Sequence, residues 1–334
     1  MEYTSIGWTD HTQNFWWICD KVHEGCRHCY AEAWANRHGF AWGLKAPRLV
    51  TSQTNRNKPL KWNRLAEKSG KRLRVFCQSM SDFCDAYQGT LIYRDRSTAW
   101  KCDSCGNELK GAALGTPITL PSCNCGLSKT RALTLDDLRS QACNLFSRTQ
   151  WIDYQVLTKR PEEIRKVWTN RWVDGCWPKN VWFGTSISDQ QSHDQLVPEL
   201  QKCRELSPVL FLSIEPLLDE IKLNLDGIDW VIVGGESGPH ARPYVLEYAV
   251  SILLQCKRAG VPVFHKQLGK VPVTTNVNLY GFDGELEPWG DYACGARFIL
   301  SDRKGESMNE WPDFDDIDSE LSMKVREFPT VRAE

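Results

Sequence analysis

Val209-Leu-Phe-Leu-Ser-Ile-Glu-Pro216 and, after a polar stretch, Asp229-Trp-Val-Ile-Val-Gly-Gly-Glu236 hold the pattern from which the fold is read. Each begins as a continuous β-rich apolar run and then stops on polar or charged residues. An uninterrupted run predicts a strand buried on both faces, because a strand with one wet face would alternate. The same unit recurs outward along the chain. Leu73–Ser79 is followed by Met80-Ser81-Asp82, and Asp153–Leu157 by Thr158-Lys159-Arg160-Pro161. Asn180–Phe183 is followed by Gly184-Thr185-Ser186-Ile187-Ser188-Asp189, and Val261–Phe264 by His265-Lys266-Gln267. Helix-length segments such as 133–150 separate the runs, which predicts a parallel sheet with helices outside it.

In a parallel α/β barrel the loops after the strands build the active site. Asp82, Lys159, Arg160, Ser186, Ser188, Asp189, Glu215, Glu236, His265 and Lys266 would then converge on one mouth. Capping is the bland alternative, and it suits Asp82 and Asp189; Glu215 and Glu236 are not favoured cap residues. Gly234-Gly235 permits close backbone approach to a ligand.

The chain has 334 residues, 41 basic and 42 acidic side chains and 14 cysteines. Its composition is that of a globular protein and excludes a disordered chain. No apolar run is long enough to span a membrane, and Met1-Glu-Tyr-Thr-Ser5 does not read as a secretory signal, so a cytoplasmic protein is expected. So many thiols in such a chain point to metal chemistry more than to disulfides. Cys102, Cys105, Cys123 and Cys125 form C-x2-C-x17-C-x-C, each pair followed by glycine, and read as a structural zinc site. Cys19, Cys26 and Cys29 form C-x6-C-x2-C. Three thiolates leave one iron of a [4Fe-4S] cluster open to a small-molecule ligand. Zinc completed by His23 or His28, or plain buried thiols, are the alternatives. Core packing is the default for Cys77, Cys84, Cys143, Cys176, Cys203, Cys256 and Cys294, with Cys84 also considered as a hydrogen donor.

Residues 45–74 hold ten Lys or Arg and one acid, with Trp62 among them. Lys58, Lys61 and Arg64 suit a phosphate backbone, and Trp62 a stacked base; a solvated helix face is the alternative. Residues 310–320 hold six acids, Glu310, Asp313, Asp315, Asp316, Asp318 and Glu320, and read as a solvated tail.

Together, the cysteine motif with Tyr30-Ala-Glu32, Gln78-Ser-Met-Ser-Asp82, Leu157-Thr-Lys-Arg-Pro161, Gly184-Thr-Ser186, Ser213-Ile-Glu-Pro216, Gly234-Gly-Glu-Ser-Gly238 and Phe264-His-Lys-Gln267 resemble the phage and prophage three-cysteine-motif family. That family is of unknown function and is similar to radical S-adenosylmethionine (SAM) enzymes. The resemblance covers roughly residues 5–270 without 95–130. It implies a partial or complete (β/α) TIM-like barrel of the radical SAM type over 1–94 and 131–270; the residues themselves set off a zinc-ribbon-like insertion at 95–130 and an acidic extension at 271–334. It implies a [4Fe-4S] cluster on Cys19, Cys26 and Cys29, with SAM held by His28, Ser79, Ser81, Asp82, Ser186, Ser188 and Glu215. Lys159, Arg160, Glu236, His265 and Lys266 would face substrate. The expected activity is reductive SAM cleavage and modification of a DNA base or nucleotide, fed by a reductase in a bacterial host. A base-damage repair lyase, a zinc-stabilised nucleic-acid-binding protein and a hydrolytic barrel using Glu215 or Glu236 are the other readings.

Overall fold

The computed structural model describes residues 4–117, 120–126, 129–172, 176–282, 284–290, 294–314 and 322–331. The fold is mixed α/β on a seven-stranded parallel sheet, in which His11–Gln13, Leu73–Cys77, Ile152–Thr158, Val181–Ile187, Leu210–Ile214, Trp230–Gly234 and Val263–Gln267 lie side by side in that order. The chain divides into two compact units: Met1–Val22, Cys29–Leu157 and Glu163–Val181 in the first, and His23–His28, Thr158–Glu162 and Trp182–Glu334 in the second.

The first unit carries β1 (His11–Gln13), β2 (Trp16–Trp17), β3 (Arg48–Val50), β4 (Leu73–Cys77), β5 (Leu91–Ile92), β6 (Ser97–Cys102), β7 (Glu108–Ala113), β8 (Thr130–Ala132) and most of β9 (Ile152–Thr158). Its helices are α1 (Tyr30–Arg37), α2 (Gln53–Arg56), α3 (Lys58–Ser69), α4 (Leu135–Arg148) and α5 (Ile164–Thr169). β4 pairs in parallel with both β1 and β9. α4 starts where Thr134 and Asp137 cap one another's backbone N–H groups, satisfying donors that a helix start leaves open. A second sheet runs β2-β3-β5-β6-β7, with β8 on β6. The segment 95–130 therefore extends a sheet of this unit through β5 and is more than a loop held by metal.

The second unit carries most of β10 (Val181–Ile187), with β11 (Leu210–Ile214), β12 (Trp230–Gly234), β13 (Tyr244–Val245), β14 (Val263–Gln267), β15 (Pro272–Thr274), β16 (Tyr280–Gly281), β17 (Glu285–Pro288), β18 (Ala296–Ile299) and β19 (Asp313–Phe314). Its helices are α6 (Gln190–Gln201) and α7 (Leu246–Ala259). Every residue of β10, β11 and β12 is buried, as the continuous apolar runs require. The strands extend past those runs. Thr185, Ser186, Ser213, His265 and Lys266 lie within strands, with Ser186 paired to Ser213. Backbone ladder hydrogen bonds decide where a strand stops, and polar residues carry the same backbone donors and acceptors as apolar ones. Between β11 and β12 no helix intervenes; Leu217 and Ile221 are buried there instead.

The C-terminal region is not simply solvated. β15 and β18 form a sheet with β13 and β17, and Val273, Phe298, Trp311 and Met323 are buried. Asp313 is exposed, whereas Asp315, Asp316, Asp318 and Glu320 lie outside the described residues.

Candidate functional site

The most completely assembled metal-type site is in the first unit. Cys102 ends β6, Cys105 follows in a turn closed by the Gly106 N–H to Cys102 O bond, and Cys123 and Cys125 approach from the loop before β8. The four sulfurs all lie within 4.8 Å of one another, with Cys102–Cys125 at 3.6 Å and Cys105–Cys123 at 3.5 Å. Four thiolates tetrahedrally about one ion at a metal–sulfur distance of about 2.3 Å stand about 3.8 Å apart, so the group can hold one metal ion. The backbone N–H groups of Cys105 and Ser104 bring the Cys102 thiol down to about 6, ready to ligate. The C-x-C pair does reach the other two sulfurs.

In the second unit, polar side chains gather at the C-terminal ends of the parallel strands. Glu215, just past β11, accepts a bond from Ser213 Oγ at 3.2 Å and pairs with Lys266 Nζ at 2.7 Å. Ser186 and Ser188 are buried, and Ser188 Oγ has no hydrogen-bond partner among the described residues. Lys159 is half-buried and Arg160 largely buried.

Gly235 has a different role from the expected one. A Cβ there would collide with Leu268 O, so its close approach is to the chain's own backbone and not to a ligand. Glu236, expected to face substrate, is instead tied to Arg242. Arg242 Nε and Nη2 donate to its two oxygens at 3.0 and 2.9 Å, and the Arg242 backbone N–H donates at 2.9 Å. Burial alone would raise the Glu236 pKa, but these bonds outweigh it and hold the carboxyl below its usual range.

His265 corrects another expectation. It is fully buried, and burial pushes its pKa down to about 4. Met323 O, which can only accept, takes the Nδ1–H at 2.8 Å, and Nε2 accepts from Tyr244 Oη at 2.8 Å. It is an interior histidine, closed off from substrate.

The turn Glu24–Cys26 also belongs to the second unit. His23 Nδ1 accepts from Gly25 N at 3.1 Å, and Cys26 N donates to His23 O at 2.9 Å. Gly25 lies directly over Ser188, with no room for a Cβ. His28 Nδ1 stands 3.2 Å from Glu236 Oε2, and Arg242 Nη1 donates to Glu24 O and Oε1 at 3.2 and 2.9 Å. Cys26 is thus set at the strand ends by residues after β10 and β12. Cys19 and Cys29 lie in the first unit, where Cys29 precedes α1.

A family model describing a protein of unknown function, DUF5131, matches residues 3–94 and 131–308. The chain belongs to the DUF5131 family. The match runs past residue 270 and through β18 to residue 308, and it passes over 95–130, where this DUF5131 protein carries the cysteine tetrad. No curated protein and no solved structure matches it.

The remaining expectations for this DUF5131 chain fall in the first unit. Ser79 Oγ accepts from Asn14, Ser81 Oγ donates to Trp16 O, and Asp82 Oδ1 accepts from Cys84 N. Ser79 and Ser81 tie this loop to residues 14–16, and Asp82 closes an Asx turn; the next element is β5, so Asp82 caps no helix. Trp62 is buried and stacks on His11, with ring centroids 4.2 Å apart and planes within 3°, so it cannot stack on a base. The basic stretch is partly internal. Buried Arg48 pairs with Asp85 and buried Arg56 with Glu108, while Lys61, Arg64 and Lys68 of α3 are exposed, as is Arg72, which pairs with Asp153.

Of the scattered cysteines, Cys77, Cys84, Cys143, Cys203 and Cys256 are buried, whereas Cys176 and Cys294 are exposed. Two features escaped sequence reading. Arg242 is a lone arginine with no spacing signal, and a cavity of about 1050 Å³ lies against α4 and α5, bordered by Asp136, Arg139, Arg171 and Trp172. No helix is long and apolar enough to cross a membrane among the described residues.

Proposed function

We propose that the chain is a radical SAM enzyme of the TIM-barrel-related type, acting on a nucleic-acid base or nucleotide. The observation that carries this reading is the seat of the Cys26 turn at the C-terminal ends of β10 and β12, against Ser188 and Glu236. That edge is where parallel α/β sheets assemble their active sites. A three-thiolate set of Cys19, Cys26 and Cys29 suits a [4Fe-4S] cluster with one iron left for a small ligand. When reduced, such a cluster supplies the electron that splits SAM into methionine and a 5′-deoxyadenosyl radical able to take a substrate hydrogen. The chain's own residues bind and orient around it. Ser188, buried beneath Gly25, packs the Cys26 turn, and Ser186 lies on the preceding strand. Lys266, held by Glu215, presents a fixed cation to a carboxylate or phosphate. The tetrad suits structural Zn²⁺, because soft thiolates in a tetrahedron favour it.

The exposed cations of α3 support a nucleic-acid substrate in DNA. Hypermodification of thymine by radical isomerisation is the specific form, with a base-damage repair lyase as nearest rival; a phage or prophage setting and a host reductase accompany it. Anaerobic reconstitution with iron and sulfide, followed by dithionite and SAM, is expected to give a brown, iron-loaded protein that releases 5′-deoxyadenosine. A colourless protein carrying only zinc, with no 5′-deoxyadenosine, would overturn the reading in favour of a zinc-stabilised binding protein.

A further inference from the structure

We propose that Glu236 and Arg242 are positioning residues that hold the Cys26 thiol in place by gripping its turn from both ends. The inference rests on the radical SAM reading for its purpose, but its physical content is separate. Glu24–Cys26 form one short 3-10 turn between His23 and His28, too brief to be stable by itself. It is attached to the rest of the second unit at its start, middle and end. At the start, Arg242 Nη1 donates to the Glu24 carbonyl and carboxylate. At the end, Glu236 Oε2 accepts from His28 Nδ1. In the middle, Gly25 rests on Ser188 with no space for a side chain. The first two attachments are one assembly, because the Arg242 guanidinium grips both oxygens of Glu236 while reaching Glu24. A planar guanidinium can do this; an ammonium cannot make the same fork.

Glu236 therefore acts through His28 and Arg242 on a cysteine two residues from His28. Its own carboxylate is 8% exposed and nearly filled by these bonds. Partners of this outer kind orient ligands, and losing one costs about 10- to 100-fold in metal affinity.

The test has two arms, on the full-length protein. In the first, metal-stripped, reduced wild type, Arg242→Ala, Arg242→Lys and Glu236→Gln are pulsed with iodoacetamide, and each cysteine is followed by peptide mass spectrometry. Cys26 is buried, so slow labelling is expected in wild type and roughly tenfold faster labelling in Arg242→Ala. Arg242→Lys should fall between, and buried Cys203 should stay slow in all, showing that the fold is kept. Equal Cys26 rates in wild type and Arg242→Ala overturn the clamp whatever the metal. In the second arm, iron per chain and the visible spectrum are measured after anaerobic reconstitution, with zinc at the tetrad as internal control. Arg242→Ala is expected to need about 10- to 100-fold more free iron for half-loading at unchanged zinc. Equal iron loading in wild type and variant removes the clamp and leaves the radical SAM reading standing. Wild type that takes no iron removes that reading, and the labelling arm still decides the clamp.

Discussion

At the residue scale, His265 shows how burial reassigns a side chain. In sequence it follows an apolar run and reads as a strand-end catalyst; in the fold it is the third residue of β14, packed against Tyr244 and Trp311. Its pKa falls from 6.5 to about 4, first because burial disfavours the cation. Between those values the unfolded chain binds the proton and the folded chain does not, so stability present above pH 6.5 is lost as pH falls toward 4. The loss is about 3 kcal/mol at most. His265→Gln removes the titrating group. Denaturant titrations at pH 7 and pH 4.5 should show a stability drop about 2 kcal/mol smaller in the variant than in wild type. The same drop in both proteins would mean that His265 does not set the acid limb.

At the scale of elements, the four-cysteine segment carries the clearest dependence on metal. β6 and β7 form a hairpin whose far end holds Cys102 and Cys105, and the loop to β8 supplies Cys123 and Cys125. Apart from Cys102, Cys123 and Ala99, little of 97–126 is buried, so few apolar contacts hold the end of the hairpin. Cys123→Ser should cost one metal ion per chain by elemental analysis and open the 120–126 loop to proteolysis, with β9 to β14 intact. Full metal content in Cys123→Ser would mean that this sulfur is not a ligand. The internal arginines belong to this scale too. Arg56 reaches from α2 to Glu108 on β7 and Gln141 on α4, tying three elements with one guanidinium.

At the scale of the whole molecule, the sequence beyond residue 270 completes the second unit. Trp311 donates to Gly305 O at 2.9 Å and lies 4.5 Å from the His265 ring, and Val325 O accepts the His265 N–H. Trp311→Ala is expected to lower unfolding free energy by about 3–5 kcal/mol, as removal of a buried tryptophan does, measured by denaturant titration. A change below about 1 kcal/mol would return this segment to the status of a solvated tail.

The strands were legible because three of them, β10, β11 and β12, are buried on both faces, and burial leaves no choice but an apolar run. The tetrad was legible because ligand spacing is local: Cys102 and Cys105 are brought together by one turn. What the sequence by itself determined about this protein is therefore the parallel α/β class, the metal-ready cysteines and the polar strand ends. The tertiary structure alone decided which polar groups are accessible and what they touch. It turned His265 and Trp62 inward, set Gly235 against Leu268, and joined Glu24 to Glu236 through Arg242. Those contacts link positions far apart in the chain, and neither propensity nor periodicity carries information about partners at that separation. Burial and hydrogen bonding, which give each of these side chains its role, exist only once the elements have packed.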